Sequence, residues 1–358
     1  GLEQAAKAVT RGTMYPGLIE LHNHLSYNVL PLWHVPKKYD NRDQWPDHPE
    51  YHQLVTGPMK KLGTANRTDL LPALVRYVES KCLFGGVTTS QGIALSSNAG
   101  VMRYYKGVVR NVESGGDVAL PSAKTHIADV DAHDWDKFLA AISGSSVMLL
   151  HLSEGRDQRA RNHFLALEKD GKWALTDKLV GIHCAALVRE DFDVMRDHGS
   201  SMVWSPFSNY LLYGETADIK AALKSGLDIS LGSDWSPSGS KSLLGELKVA
   251  RVILDQLQVE ASDRDLVSMV TRKPARMVKW NKLVGSLEPK KRADVLVLNK
   301  KTDEPYKALI MAHEEDISLV VIGGVPRYGA KTLMNAAKAT SDEVTVAEVL
   351  KSAGYATA

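Results

Sequence analysis

The sequence predicts an α/β protein, a (β/α)8 TIM barrel with a small β-sandwich appendage whose N-terminal part is short or missing. Three observations carry this expectation. Between residues 17 and 233, short β-branched runs alternate with helical patterns, as repeated βα units do. From Gly285 onward the pattern changes to short strand-like runs separated by turns. The length, 358 residues, suits one barrel of about 250 residues plus an appendage.

The barrel strands are expected at 17–24, 86–90, 106–111, 118–125, 147–152, 180–184, 201–204 and 228–233. Between the last two, the pattern predicts a helix over 216–225. Thr216 would cap it, Ile219, Ala222 and Leu223 would share one face, and Gly226 would stop it. Helices near 242–258 and 262–272 complete the barrel. Beyond them, 285–289, 293–298 and 319–328 read as appendage strands, and 341–358 as a helix with a frayed end. The expected division is therefore 1–13 as a residual appendage strand, 14–283 as the barrel, 284–340 as the appendage and 341–358 as the tail. Residues 25–63 form a long connection rich in Pro, Trp, Tyr and His, and such loops are often functional.

Composition narrows the partners. Lys and Arg total 44 against 42 for Asp and Glu, a balance that argues against nucleic acid or an anionic membrane as the main partner, since either would want a concentrated basic face. Two cysteines exclude a disulfide scaffold and a Cys-only metal site, and point to a reducing, cytoplasmic setting. Apolar runs such as 147–150 and 319–322 are strand-length and span no bilayer. Gly1 rather than Met stands first, as a removed leader or a missing N-terminal stretch would leave it.

Chemistry-bearing residues cluster at the ends of the expected strands. His22 and His24 end the first, and their i, i+2 spacing on a strand would point both imidazoles into the barrel. Imidazole pairs at that spacing suit Zn²⁺ or Fe²⁺. His151 ends the fifth strand, with Glu154 just beyond it; His183 ends the sixth; Asp234 follows the eighth. Singly, each has an ordinary reading, as a rim histidine, a solvated loop carboxylate or a capping aspartate. Together they occupy strand ends that converge on one face.

These residues sit in an ordered set of motifs: Pro16-Gly17 before His22-x-His24, Gly85-Gly-Val-Thr-Thr, His151-Leu-Ser-Glu154, His183, Ser205-Pro-Phe-Ser-Asn209 with Gly214, Leu231-Gly-Ser-Asp234, and Gly285-Ser-Leu-Glu with Ala293-Asp294. The set resembles the metal-dependent amidohydrolase superfamily over nearly the whole chain, and within it the mononuclear deaminase and chlorohydrolase-like branch. The resemblance implies one divalent metal ion, Zn or Fe, on His22, His24, His151 and Asp234. It implies Glu154 as proton shuttle and His183 as the residue that polarises or steadies substrate. Lys124 lies where the dinuclear branch places a bridging lysine, but His151-x-x-Glu154 favours one metal. Two departures are visible: only residues 1–15 precede Pro16, and the turn Glu288-Pro-Lys-Lys-Arg-Ala-Asp294 lacks the family's usual glycine.

Such a ligand set keeps an open position for water and lowers its pKa towards neutrality. Asp234 can then accept a proton, Glu154 can pass one to a ring nitrogen, and His183 can stabilise the developing tetrahedral centre. The expected reaction is hydrolysis of a non-peptide C–N bond, foremost deamination of a cyclic amidine or aminated heterocycle. The alternative is hydrolysis of an amide, lactam or imidazolone-type ring, and the remote alternative a non-catalytic scaffold. Trp33, Asn209, Tyr210 and Trp235 are the substrate-binding candidates. Tyr27, Tyr39, Trp45 and Tyr51, with His34, Lys37, Lys38 and Arg42, are further candidates in the long loop, and Tyr213 lies after strand seven. The expected partner is a small-molecule substrate; a homo-oligomer is left open.

Overall fold

A computed structural model describes residues 10–64, 70–92, 104, 105, 107–126 and 135–337. Its strands, in chain order, are β1 (Thr13–Pro16), β2 (Leu18–Glu20), β3 (Val87–Ser90), β4 (Arg110–Asn111), β5 (Lys124–His126), β6 (Met148–Leu152) and β7 (Glu168–Lys169). They continue with β8 (Lys172–Trp173), β9 (Leu179–His183), β10 (Ser201–Trp204), β11 (Asp228–Leu231), β12 (Val295–Leu298), β13 (Ile317–Ile322) and β14 (Val325–Gly329). Parallel pairing orders β2-β3-β4 in one sheet and β5-β6-β9-β10-β11 in another. The two sheets approach at both margins. Ala123 N, just before β5, donates to Val112 O, just after β4, at 2.8 Å. Beyond β2 and β11, an isolated parallel bridge joins Asn23 to Asp234. With helices such as Leu70–Phe84, Trp135–Ser143, Arg189–Asp197 and Ile219–Ser225 between successive strands, the fold is TIM-barrel-like α/β.

Each expected strand of the alternating region contains a strand, several of them shorter. The first covers only Leu18–Glu20, and 118–125 becomes extended only at Lys124. Of the expected 106–111, only Arg110–Asn111 is a strand, and Lys106 lies outside the described residues. Two corrections concern helices. The helix Ile219–Ser225 is capped by Asp218, whose side chain accepts from Ala221 N, so Thr216 is not its cap. The long loop is partly helical: Pro49–Tyr51, a π-helical turn His52–Thr56 and Gly57–Thr64 run together. A hairpin, β7–β8, turns through Asp170 and Gly171, both at positive φ. Asp-Gly is the strongest short hairpin signal a sequence offers, and it stands legibly here.

The appendage is a four-stranded antiparallel sheet in the order β1-β12-β13-β14, a single layer among the described residues rather than two facing ones. Thr13–Pro16 thus pairs with Val295–Leu298 across most of the chain. The segment 285–289 is turn structure instead of a strand, and short helices at Pro305–Ile310 and Lys331–Ala336 were not expected. Residues 1–9 and the expected helix at 341–358 lie outside the described residues.

Side-chain alternation along the parallel strands divides the core. Ile19, Val147, Leu149, Val180, Ile182 and Val203 pack together with Trp280 at the centre. Their neighbours Leu18, Met148, Leu150, Leu179, Met202 and Trp204 pack outward in a second cluster that extends to the helices. At the strands' C-terminal ends this central row gives way to polar side chains, and Gly232 makes space for them. A Cβ on Gly232 would fall 2.4 Å from His22 Cβ and 3.0 Å from Val203 Cγ1. Gly232→Ala is therefore expected to push His22 aside and destabilise the fold by about 1–3 kcal/mol, read from urea unfolding. A variant as stable as wild type would show that His22 can move freely.

Candidate active site

The site is assembled where the strands break. His151 continues the inward row of Val147 and Leu149, so regular alternation aims it at the centre. The other residues arrive through irregular backbone. Strand β2 stops at Glu20, so His22 and His24 converge through a bend rather than by strand alternation, their ring centroids 5.5 Å apart. His183 follows the inward-facing Ile182, and a φ of 68° turns its ring back to within 4.7 Å of His22. Asp234 has a φ of 63°, and Ser153 and Cys184 also adopt left-handed values. Left-handed conformations at non-glycine residues cost on the order of 1–3 kcal/mol each and concentrate at functional sites. Asp234 is also tied down by its backbone, donating to His22 O at 3.0 Å and accepting from His24 N at 3.3 Å.

Four donor atoms lie close together, each within 3.4 Å of two of the others. His151 Nε2 lies 3.2 Å from His22 Nε2 and 3.3 Å from His24 Nε2. Asp234 Oδ1 lies 3.3 Å from His22 Nε2 and 3.4 Å from His24 Nε2. A tetrahedral ion bound at about 2.0–2.1 Å holds its donors about 3.3–3.4 Å apart, so this spacing fits such an ion. The outer sides of the rings agree. His151 Nδ1 lies 3.0 Å from the His126 carbonyl, which can only accept, so the proton sits on Nδ1 and the lone pair on Nε2. His22 Nδ1 lies 2.6 Å from Ser205 Oγ, and Ser208 Oγ donates to Asp234 Oδ2 at 2.7 Å. Asp234 Oδ1 is buried without a hydrogen-bond partner.

Electrostatics point the same way. Burial holds all the imidazoles neutral: His24 and His183 fall to about 3, and His22 and His151 are pushed well below their usual range. Burial, reinforced by the charge of Glu154, raises the Asp234 carboxyl well above the carboxylate range. Neutral nitrogens around an unsatisfied buried carboxylate oxygen are what a cation would complete.

Glu154 stands beside this cluster, in contact with other groups. Tyr213 OH donates to its Oε1 at 2.7 Å, Arg42 Nη1 lies 3.2 Å from Oε2, and His183 Nε2 lies 3.7 Å from Oε1. Asn209 is buried behind His183, with Nδ2 3.0 Å from Nδ1 of that ring. Lys124 is exposed at the start of β5.

A cavity of about 340 Å³ opens over the donors, walled by Tyr27, Trp45, Tyr51, Leu212 and Trp235, with Arg42, Asp47, His52 and Thr56 among its polar lining. Tyr51, His52 and Thr56 come from the π-helical turn and its flank, and all three line the cavity. Of the expected substrate-binding residues, Trp235 is on this wall, 5.1 Å from His24 between ring centroids. Trp33 is not; it packs inside the loop against Tyr51 and Tyr39. Asn209 serves His183 instead, and Tyr210 is half-buried against the hydrophobic core. Sequence reasoning gave Ser205 and Ser208 no role of their own in the site and took Thr216 for a helix cap, since serine and threonine in a Pro- and Gly-punctuated stretch read as ordinary turn and cap residues.

The family model described as "Amidohydrolase family" matches residues 146–327, and the chain belongs to that family. A 5-methylthioadenosine/S-adenosylhomocysteine deaminase of Caldanaerobacter subterraneus is 30% identical over 156 residues, 40% of this chain and 36% of that protein. The chain thus aligns with about a third of the length of the first curated relatives it matches. A deaminase of the same description from Moorella thermoacetica is 24% identical over 369 residues, 92% of this chain and 86% of that one. Among solved structures, an adenosine deaminase from Xanthomonas campestris with bound zinc superposes with a TM-score of 0.69 at 16% identity, covering 96% of this chain and 85% of that chain, which shows a shared fold. Among the described residues, no helix is long and apolar enough to cross a membrane.

Proposed function

We propose that this chain is a metal-dependent amidohydrolase that deaminates an aminated heterocycle, with the barrel of residues 14–283 as its catalytic unit. The observation that carries the reading is the convergence of three imidazole nitrogens and Asp234 Oδ1 at 3.2–3.4 Å beneath an aromatic cavity. The deaminases among its relatives support the substrate class. In this reading His22, His24, His151 and Asp234 hold one divalent ion, zinc or iron, and the zinc in the adenosine deaminase favours zinc. When bound, such an ion lowers the pKa of water towards neutrality.

The chain's own residues do the rest. Tyr27, Trp45, Tyr51 and Trp235 sandwich a planar ring and exclude water. Asp234 Oδ1, unpartnered and buried, accepts a proton from the attacking water. Glu154 relays one of the water's two protons to the ring nitrogen next to the amino group and the other, given up by Asp234, to the departing amine, so both carboxylates end as they began. His183 Nε2, 3.7 Å from Glu154 Oε1, donates to the oxygen added at the ring carbon.

A panel of amino-substituted purines, pyrimidines and triazines, assayed for ammonia with metal measured in parallel, tests this. The expected result is stoichiometric ammonia release and about one equivalent of metal per chain. Ring opening without ammonia would favour lactam or imidazolone hydrolysis, and a metal-loaded protein inert to every ring would point to a scaffold. Two equivalents of metal would return Lys124 to consideration.

A further inference from the structure

His183 can act in two opposite ways, and the proton on its ring decides between them. With the proton on Nε2, it is a donor facing Glu154 and the cavity. With the proton on Nδ1, Nε2 is a lone pair, and His183 becomes a further metal donor; ring nitrogens of His22, His151 and His183 lie within 4.8 Å of one another.

The far side of the ring fixes the choice. Trp204 Nε1 donates to Thr216 Oγ1 at 2.7 Å, Thr216 Oγ1 donates to Asn209 Oδ1 at 3.2 Å, and Asn209 Nδ2 reaches His183 Nδ1 at 3.0 Å. An indole N–H can only donate, so it takes a lone pair of the Thr216 oxygen, and the Thr216 proton goes to Asn209 Oδ1, the amide atom that faces it. That orientation turns the amide NH2 towards His183, whose Nδ1 must accept. A neutral imidazole accepting at Nδ1 carries its proton on Nε2. Trp204, Asn209 and His183 are at most 1% exposed and Thr216 is half-buried, so the contact between Asn209 and His183 is shut off from water. A second chain has the same construction: Trp45 Nε1 donates to Tyr213 OH at 3.0 Å, and Tyr213 OH to Glu154 Oε1 at 2.7 Å. One chain therefore ends at His183 and the other at Glu154, whose Oε1 lies 3.7 Å from His183 Nε2.

We propose that Trp204, Thr216 and Asn209 form a relay that sets the tautomer of His183, keeping Nε2–H pointed at substrate and withholding the ring from the metal. Asn209 and Thr216 are then positioning residues. The use made of the donor rests on the deaminase reading; the tautomer does not.

The test uses zinc-loaded, full-length protein with ¹⁵N-labelled histidine, read by long-range ¹H–¹⁵N correlation, with His183→Gln identifying the His183 signals. The wild type should show Nε2–H at His183. Asn209→Asp presents only acceptors, so it should move the proton to Nδ1 and lower kcat by about 10²–10³-fold, the usual effect of losing one such donor, with KM changing far less. Thr216→Val should mix the two tautomers and lower kcat about tenfold, the worth of one hydrogen bond, while Thr216→Ser should restore both readings. If Asn209→Asp does not fold, the Thr216 pair carries the test. Nδ1–H in the wild type, or one unchanged tautomer and unchanged kcat in Thr216→Val, overturns the relay. If the tautomers respond as stated but no heterocyclic amine is turned over, the relay stands and the deaminase reading fails.

Discussion

Replacing Glu154 with Gln is expected to lower kcat by about 10²–10⁴-fold or more while leaving the metal content at its wild-type value. The substitution is nearly isosteric, and its amide oxygen can keep the hydrogen bond from Tyr213 OH. Neither Glu154 oxygen belongs to the four-atom cluster of His22, His24, His151 and Asp234, so those donors stay in place. What disappears is the side chain proposed to carry a proton between the attacking water and the substrate. Because that loss is confined to the chemical step, kcat should fall and KM should change little. Loss of metal would make Glu154 a ligand. Full metal with full rate would place the proton shuttle elsewhere.

Asp234→Asn is the second large effect, expected towards the upper end of the general-base range, about 10⁴-fold in kcat. Its backbone should survive, because Asn tolerates the left-handed conformation that Asp234 adopts at φ 63°. The hydrogen bonds from Asp234 N to His22 O and from His24 N to Asp234 O are unaffected by the change. Ser208 can accept from the new amide as readily as it donates to Oδ2 now, leaving the amide oxygen towards His22 and His24. Metal binding should therefore weaken, yet less than in His22→Ala or His24→Ala, as measured by competition with a chromophoric chelator. A variant with full metal and near-native turnover would reduce Asp234 to a structural bridge between the ends of β2 and β11.

Much of this was legible in the residue pattern, for a physical reason. Strand periodicity is local, so the inward row Val147, Leu149, His151 can be read from alternation alone. The same reasoning brought His22 and His24 together but mistook the cause, since β2 has ended before either residue. Left-handed turns at His183 and Asp234 leave little trace in sequence, because neither residue is glycine. The long loop was the least legible part. Its aromatics divide between packing, as with Trp33, and lining the cavity, as with Trp45 and Tyr51, and that division depends on tertiary contacts no local pattern encodes. Asn209 was named as a substrate-binding candidate, and its partners Thr216 and His183 could not be read, since they converge only after folding.

That loop also bears on how the enzyme could change its substrate. Its backbone is fastened to three separate strand-end segments: Trp33 N donates to Pro237 O at 2.7 Å, Tyr39 N to Leu212 O at 2.8 Å and Arg42 N to Glu154 O at 3.1 Å. Arg42 adds a side-chain pairing to the Glu154 carboxylate at 3.2 Å. In many barrels the βα loops can be exchanged while the reacting groups stay put, which is how one fold hosts many chemistries. Here the segment that shapes the cavity also grips the group proposed to move the proton. Grafting in a foreign loop would disturb recognition and rate together. New specificity in this lineage is more readily reached by single substitutions along the cavity-facing side of the π-helical turn, at Tyr51, His52 and Thr56, which leave the three fastenings intact.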